Sequence, residues 1–313
     1  MSRAEGMDIK MKKNKFKKYF PFFLMMTPGL LYLLVNNYIP MAGIIIAFKN
    51  YKFNTGILGS KWCGLSNFTY LFSTGDAWRI TRNTILYNVA FIVLDMFLAV
   101  TIAIILNDVK HSVSKKIYQT MILFPYLISM VVVSYLVYGF LSPVSGFINN
   151  TLLASFGKDG IAWYSEPKYW PFILVFVQTW KSVGYSSVIY LASLTGIDPG
   201  YFEAAQLDGA TKFQQIRYIT LPCLKGTIVT MLLLQIGKIF YSDFGLFYQV
   251  PMNSGALYDV TSTIDTYVYR GLMESYNISM SAAAGVYQSV VGFILVLLAN
   301  KVVSKFSEEN ALF

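Results

Sequence analysis

Six long apolar stretches constrain this chain more than any other feature of its sequence. A helix that crosses a bilayer needs about 20 mostly apolar residues. Six segments meet or approach that length: Phe20–Phe48, Asn83–Leu106, Tyr118–Leu141, Tyr169–Leu191, Cys223–Phe247 and Met280–Val302. The third carries no charge. The second is interrupted by Asp95, the fourth by Lys181, and the fifth by Lys225 at its start and by Lys238 and Asp243 near its far end. One such segment could be a buried helix of a large soluble core. Six leave too little polar sequence to coat one, because only 13% of the residues are charged against about 25% in soluble domains. The reading is an all-α membrane protein with six transmembrane helices.

The first segment follows a basic stretch, as a signal sequence would. It is longer than the apolar region of such a sequence, and no A-x-A cleavage site stands close behind it, so a retained helix is expected. Pro28 and Pro40 lie inside it. Membrane helices tolerate proline where neighbours satisfy the freed carbonyls. Lys and Arg set the orientation. Placing the N-terminal segment in the cytoplasm puts fifteen basic residues inside, among them Lys110, Lys115, Lys116, Lys212, Arg217, Lys225, Lys301 and Lys305, and eight outside. Both termini are therefore expected to be cytoplasmic. Five of the outer eight (Lys49, Lys52, Lys61, Arg79 and Arg82) fall in the first outer loop.

The net charge of +9 is explained by this topogenic placement and does not call for nucleic acid. Cys63 and Cys223 fall on opposite sides of the membrane and cannot pair within one molecule. His111 is the single histidine, so no zinc-type ligand cluster exists. The N-x-[ST] sequons at Asn67, Asn149 and Asn277 carry no weight.

The connection between the fourth and fifth segments, Gly196 to Pro222, differs from the rest. It reads as two short helices with a break. Asp198 is an N-cap residue and Pro199 occupies the first helical position. The helix runs to about Asp208. Gly209 follows, where a left-handed residue is cheapest. Thr211 and Gln214 have capping-box spacing for a second helix, and Pro222 closes the element before the fifth span. Ala204, Ala205 and Ala210 are small enough to let another surface approach, and Glu203 and Asp208 offer charge. From these residues alone, a docking element that pushes on the flanking spans and an ordinary amphipathic surface helix remain equally open.

The spacing separates the two. Glu203-Ala204-Ala205, three residues, Gly209, nine residues, Ile219, one residue, Leu221-Pro222 resembles the EAA motif of ABC importer permeases at all seven positions. Tyr38–Tyr51, Gly64–Phe68, Asn83-Thr84, Leu141–Pro143, Ile197–Pro199, Ile264–Arg270 and Glu308-Glu309 resemble the maltose-type sugar permeases. They are closest to the branch that imports polysaccharide fragments and oligosaccharides. The resemblance covers residues 15–313. It implies a multi-pass protein of the bacterial cytoplasmic membrane. Its parts would be a basic N-terminal segment (residues 1–19), a type I importer transmembrane domain (20–307) with a coupling loop at 198–222, and a short cytoplasmic tail (308–313). It further implies that Glu203, Ala204, Ala205, Asp208, Gly209, Ile219, Leu221 and Pro222 form the element that docks into an ATPase subunit. The implied partners are nucleotide-binding subunits that hold ATP and Mg, a second and related permease chain, and an extracytoplasmic solute-binding protein.

No G-x-x-x-x-G-K-[ST] is present, so the chain cannot cradle ATP phosphates in the P-loop manner. With one histidine, no Ser-His-acid set is available, and no glycosidase carboxylate pair is evident. The chain reads as a non-enzyme. Ionisable residues within spans often mark a transport path, which makes Asp95, Lys181, Lys238 and Asp243 candidates. Lys181 could instead snorkel, and Lys238 and Asp243 could pair or lie beyond an early helix end. Trp180, Tyr185, Tyr190, Phe240 and Tyr241 could stack on sugar faces. Three outer loops, Lys49–Arg82, Ser142–Lys168 and Pro251–Tyr276, would face the binding protein. Two alternatives remain open: the same role for a non-sugar solute such as a glycerol phosphate, and an ion-coupled transporter using Asp95, although no inverted repeat is found.

Overall fold

The computed structural model describes residues 19–306; the basic N-terminal segment up to residue 18 and the tail from residue 307 lie outside it. The chain is almost wholly helical. Five helices are long and apolar enough to cross a membrane: α1 (Tyr19–Phe48), α3 (Asp76–Asn107), α6 (Pro167–Thr195), α8 (Lys212–Ile236) and α10 (Ile278–Phe306). The remaining expected span is a bent pair, α4 (Ser112–Leu127) and α5 (Met130–Leu141), which meet at 93°. Among the described residues, the only sheet is a small antiparallel pairing of β1 (Lys49–Asn50) with β2 (Lys61–Trp62), in which Lys49 faces Trp62. Between it and α3 lies the short helix α2 (Ser66–Ser73). Two further short helices complete the frame: α7 (Pro199–Leu207) and α9 (Ile264–Met273).

The core is organised around α3. Tyr87 joins one apolar cluster with Val133, Leu174 and Phe247. Ala99 and Ala103 join a second with Leu191, Leu194 and Leu224. Ala77 and Ile80 join a third with Phe240 and Ile264. A helix buried on several sides has no single apolar stripe, which is why α3 reads as an almost uniform apolar run. By contrast, α1 is exposed from Tyr19 to Ala42 and packs against α10 and α2 through its last turns.

Three boundaries differ from the sequence reading. First, α3 starts seven residues early, at Asp76, and takes Arg79 into the helix. The guanidinium of Arg79 bonds Asp76 at 2.6 Å and Asp259 at 3.2 Å, so the charge is paired at the helix end. Second, the uncharged third segment is broken. Pro125 lies three residues before Ile128, which leaves the helical conformation, and Ser129 caps α5 by accepting from the Val132 amide. Third, the fifth span is displaced towards the N-terminus. It begins inside the expected second coupling helix and ends at Ile236, so Lys238, Tyr241 and Asp243 lie beyond it.

Pro222 therefore does not close an element. It sits inside continuous helix, directly after the π turn Ile216–Thr220, just as Pro40 follows the π turn Leu34–Tyr38. A proline ring collides with the carbonyl four residues back. The wider π turn carries that carbonyl, of Tyr218 in one case and Asn36 in the other, and lets the helix run on.

Candidate functional site

The link between α6 and α8 is built by its own caps. The carboxylate of Asp198 accepts from the Gly200 amide at 2.8 Å, and Pro199 opens α7. Asp208 ends it, and Gly209 turns the chain at φ +78°, a conformation that L side chains adopt at a cost. The capping box forms as expected. The Thr211 amide donates to Gln214 Oε1 at 2.7 Å, and the Gln214 amide donates to Thr211 Oγ1 at 3.4 Å.

No residue of α7 is buried. Glu203, Ala204, Asp208 and Gly209 are exposed, while Ala205 and Ile219 are half-buried. Leu221 and Pro222 lie on the exposed side of α8. Leu207 is 90% exposed, and Tyr201, Phe213 and Tyr218 of the same segment are exposed too. Sequence reasoning missed these exposed apolar side chains, although apolar residues in a connection that is otherwise polar were the available signal. On its inner side the pair rests against the end of α3, where Lys212 Nζ meets Asp108 at 3.1 Å across a small recess also lined by Phe202 and Gln215.

The second region lies at two interruptions, the break between α4 and α5 and the irregular chain that follows α8. At the break between α4 and α5 the Pro125 carbonyl accepts from the Ile128 amide at 3.2 Å, and the helical ladder goes no further. The ammonium of Lys181, on α6, donates to the carbonyls of Ile128 (2.5 Å), Tyr126 (3.0 Å) and Pro125 (3.4 Å). Tyr126 stacks on Tyr185 with ring centres 4.7 Å apart and planes 14° from parallel, and both rings are exposed on the outer face of the stack. Gly184 makes this approach possible, because a Cβ there would fall 2.0 Å from the Ile122 carbonyl oxygen.

Beyond α8, the chain from Gly237 to Asp243 is irregular. Asn88 of α3 holds it, donating to the carbonyls of Ile239 (3.0 Å) and Tyr241 (2.9 Å). Ser242 is fixed by Asp265, which accepts from its amide at 2.7 Å and its hydroxyl at 2.8 Å, while Gln288 donates to both Asp265 and the Phe240 carbonyl. Lys238 and Asp243 are both exposed and form no ion pair with one another. Asp243 instead accepts from the Leu246 amide at 3.0 Å. Gly245 abuts Met130, the first residue of α5. Irregular backbone at membrane depth is tolerated only where protein buries it or a water-filled cavity adjoins it. Asn88 and Tyr126 escaped sequence reasoning because neither stood out from its apolar run.

The structure thus brings Lys181, Tyr185, Tyr241 and Asp243 to one irregular region. The side chains of four other candidates turn elsewhere. Tyr190 is 1% exposed and packs in the core beside α3, and Phe240 is fully enclosed in the third cluster. Asp95 is 6% exposed and faces α6 and α8. Trp180 borders a groove of about 640 Å³ between α5 and α6, lined by apolar side chains such as Leu136, Phe140 and Phe176. Such a groove offers no hydrogen bonds to a polar solute. At the end of the molecule opposite α7, Arg270 is buried against the Tyr258 ring at 3.9 Å. It donates to Asn253 (2.9 Å) and Ser262 (3.0 Å), and burial lowers its pKa below the usual arginine value.

Six apolar crossings, with a capped helix pair exposed between two of them and irregular polar backbone held inside, define a class: a membrane permease worked by an external partner. Residues 80–308 match the family described as binding-protein-dependent transport system inner membrane component. The chain belongs to that family. Among its relatives, the polygalacturonan/rhamnogalacturonan transport system permease protein YteP of Bacillus subtilis (strain 168) is 35% identical over 92% of this chain and 89% of its own. A solved bacterial ABC transporter that imports the acidic polysaccharide alginate is similar over 95% of this chain and 99% of that one, with a TM-score of 0.86 and 30% identity. The bacterial alginate ABC transporter in complex with its alginate pentasaccharide-bound periplasmic protein gives a TM-score of 0.84 at 30% identity, over 94% and 97% of the two chains. This chain is an integral inner-membrane permease of the ABC-importer type, and transport rather than catalysis is its role. The family assignment sets aside the ion-coupled alternative.

Proposed function

We propose that this permease carries a sugar or oligosaccharide inward, delivered by an extracytoplasmic binding protein and driven by ATP. The ATP and Mg are held by separate nucleotide-binding subunits, and a second permease chain completes the path. Both termini lie in the cytoplasm, which puts α7 on the cytoplasmic face.

The observation that carries this reading is the build of the 198–222 segment. Its caps fix α7 from within, its outer side is exposed, and its second helix continues without interruption into α8. A push on Glu203, Ala204, Ala205 or Leu207 would reach α6 through the capped start at Asp198 and α8 through the turn at Gly209 and the Thr211 capping box. Gly209 supplies the turn, and Ile219, Leu221 and Pro222 form the join to the span. The relatives named above handle polysaccharides, which supports a saccharide cargo here. The irregular region gives it a place to pass: the Tyr126–Tyr185 stack and Tyr241 offer flat apolar faces, and Lys238 and Asp243 offer polar contacts.

Charge reversal tests the docking role. Glu203→Lys leaves every cap and buried contact in place, so the protein should insert and assemble normally while solute-stimulated ATP hydrolysis falls. Wild-type stimulation in the variant would remove α7 from the coupling surface.

A further inference from the structure

The coupling segment is covalently tied to α6 and α8 but not to α3, although α3 is the axis of the core. Some contact must decide whether α3 follows the stroke. At the end near α7, α3 meets these helices through Ala99, Ala103 and Leu106 against Leu191, Leu194 and Leu224. Apolar contact of this kind is not directional and does not by itself fix the register of α3. The ion pair between Asp108 and Lys212 is exposed on both sides, and exposed pairs contribute little.

One contact differs in kind. Asp95 of α3 is buried, and its carboxylate accepts from Ser182 Oγ at 2.8 Å, Ser186 Oγ at 2.6 Å and Gln235 Nε2 at 3.3 Å. The two serines lie one turn apart on α6, and Gln235 is the penultimate residue of α8. A carboxylate inside a membrane domain is costly unless its oxygens are satisfied. Sliding α3 by even a fraction of a turn would strand it. The bonds are also directional, unlike the apolar contacts beside them. The knot stands between the apolar cluster near α7 and the irregular region, one residue from Lys181.

We infer that Asp95 is a positioning residue for coupling: it locks α3 to α6 and α8, so that the three spans move as one body when the coupling segment is pulled. This rests on the proposed ATP-driven cycle and goes beyond it, because it assigns Asp95 to transmission rather than to the cargo path.

The test uses the assembled complex with its ATPase subunits. In a Cys63→Ser, Cys223→Ser background, spin labels at Val93 on α3 and Val188 on α6 report the separation of the two spans with and without ATP and Mg²⁺. Both positions are exposed, at 54% and 36%. The protein with native Asp95 should give one narrow separation in both nucleotide states. Asp95→Leu leaves no buried charge, since the serines can turn to carbonyls of their own helix. It should broaden the distribution when nucleotide binds and raise the ATP spent per saccharide taken up several-fold, with maltotriose and trigalacturonate as probes. Asp95→Asn, which can still bond both serines, should restore both readouts.

An unchanged distribution in Asp95→Leu would overturn the inference. So would an Asn variant that fails as the Leu variant does, because charge rather than geometry would then matter, and so would a separation that already changes with nucleotide when Asp95 is present. If the Leu variant does not assemble, Ser186→Ala removes the shortest bond and should broaden the distribution partially; no broadening there counts against the lock. A native complex in which ATP drives uptake of neither saccharide would instead count against the saccharide-importer reading, whatever the separation.

Discussion

An ammonium group inside a bilayer needs acceptors for its three protons, and Lys181 finds them in the carbonyls of Pro125, Tyr126 and Ile128 at the break after α4. The break in turn needs the lysine, since helix ends leave carbonyls unpaired. Replacing Lys181 with Met should therefore lower the stability of the purified protein by about 1.5–3 kcal/mol, the scale of a hydrogen bond to a charged group, read as a drop in the denaturation midpoint. Unchanged stability would mean that water serves the carbonyls equally well. The charges within spans are visible in the sequence, but their roles are not. Asp95, Lys181 and Asp243 look alike in a hydropathy profile. The structure gives the first to a buried knot, the second to backbone carbonyls and the third to a loop cap. Which helix faces which decides the matter, and composition does not carry that information. Tyr190 and Trp180 follow the same rule: one is core, and the other borders an apolar groove.

At the scale of elements, the helix pair between α6 and α8 is the most legible part of the chain, because caps are local chemistry. Asp198, Pro199, Gly209, Thr211 and Gln214 all act where their spacing placed them. Gly209 allows a graded test. Alanine at φ +78° costs about 1–2 kcal/mol, so Gly209→Ala should retain much of the coupling. Proline, locked near φ −65°, cannot make the turn, and Gly209→Pro should abolish ATPase coupling while membrane insertion persists. Equal coupling in both variants would show that the turn is not needed. The spans were less legible in their ends than in their number. The 93° bend leaves the apolar composition of the third segment unchanged, and only Pro125 and Ser129 hint at it. The fifth span was misplaced because apolar residues continue past Gly237. The helix stops there because Asn88 and Asp265 offer the backbone other partners. Its early start was hidden by Pro222, which the π turn at Ile216–Thr220 accommodates.

The whole molecule is shaped for company. From Tyr19 to Ala42, α1 is exposed along its length, and α7 has no buried residue. The frame around α3 joins these surfaces to the irregular region where Lys181, Tyr185 and Tyr241 gather. The proposed coupling cycle needs such a frame, because force applied at α7 would have to reach backbone many residues away. The most direct test of that account is ATP hydrolysis by the complete complex in proteoliposomes, with its binding protein, across a panel of neutral oligosaccharides, acidic oligosaccharides and polar non-sugar solutes. The account predicts stimulation by one class of saccharide and little response to the rest. Hydrolysis that responds to a non-sugar solute and to no saccharide would contradict the proposed cargo and leave the permease without it.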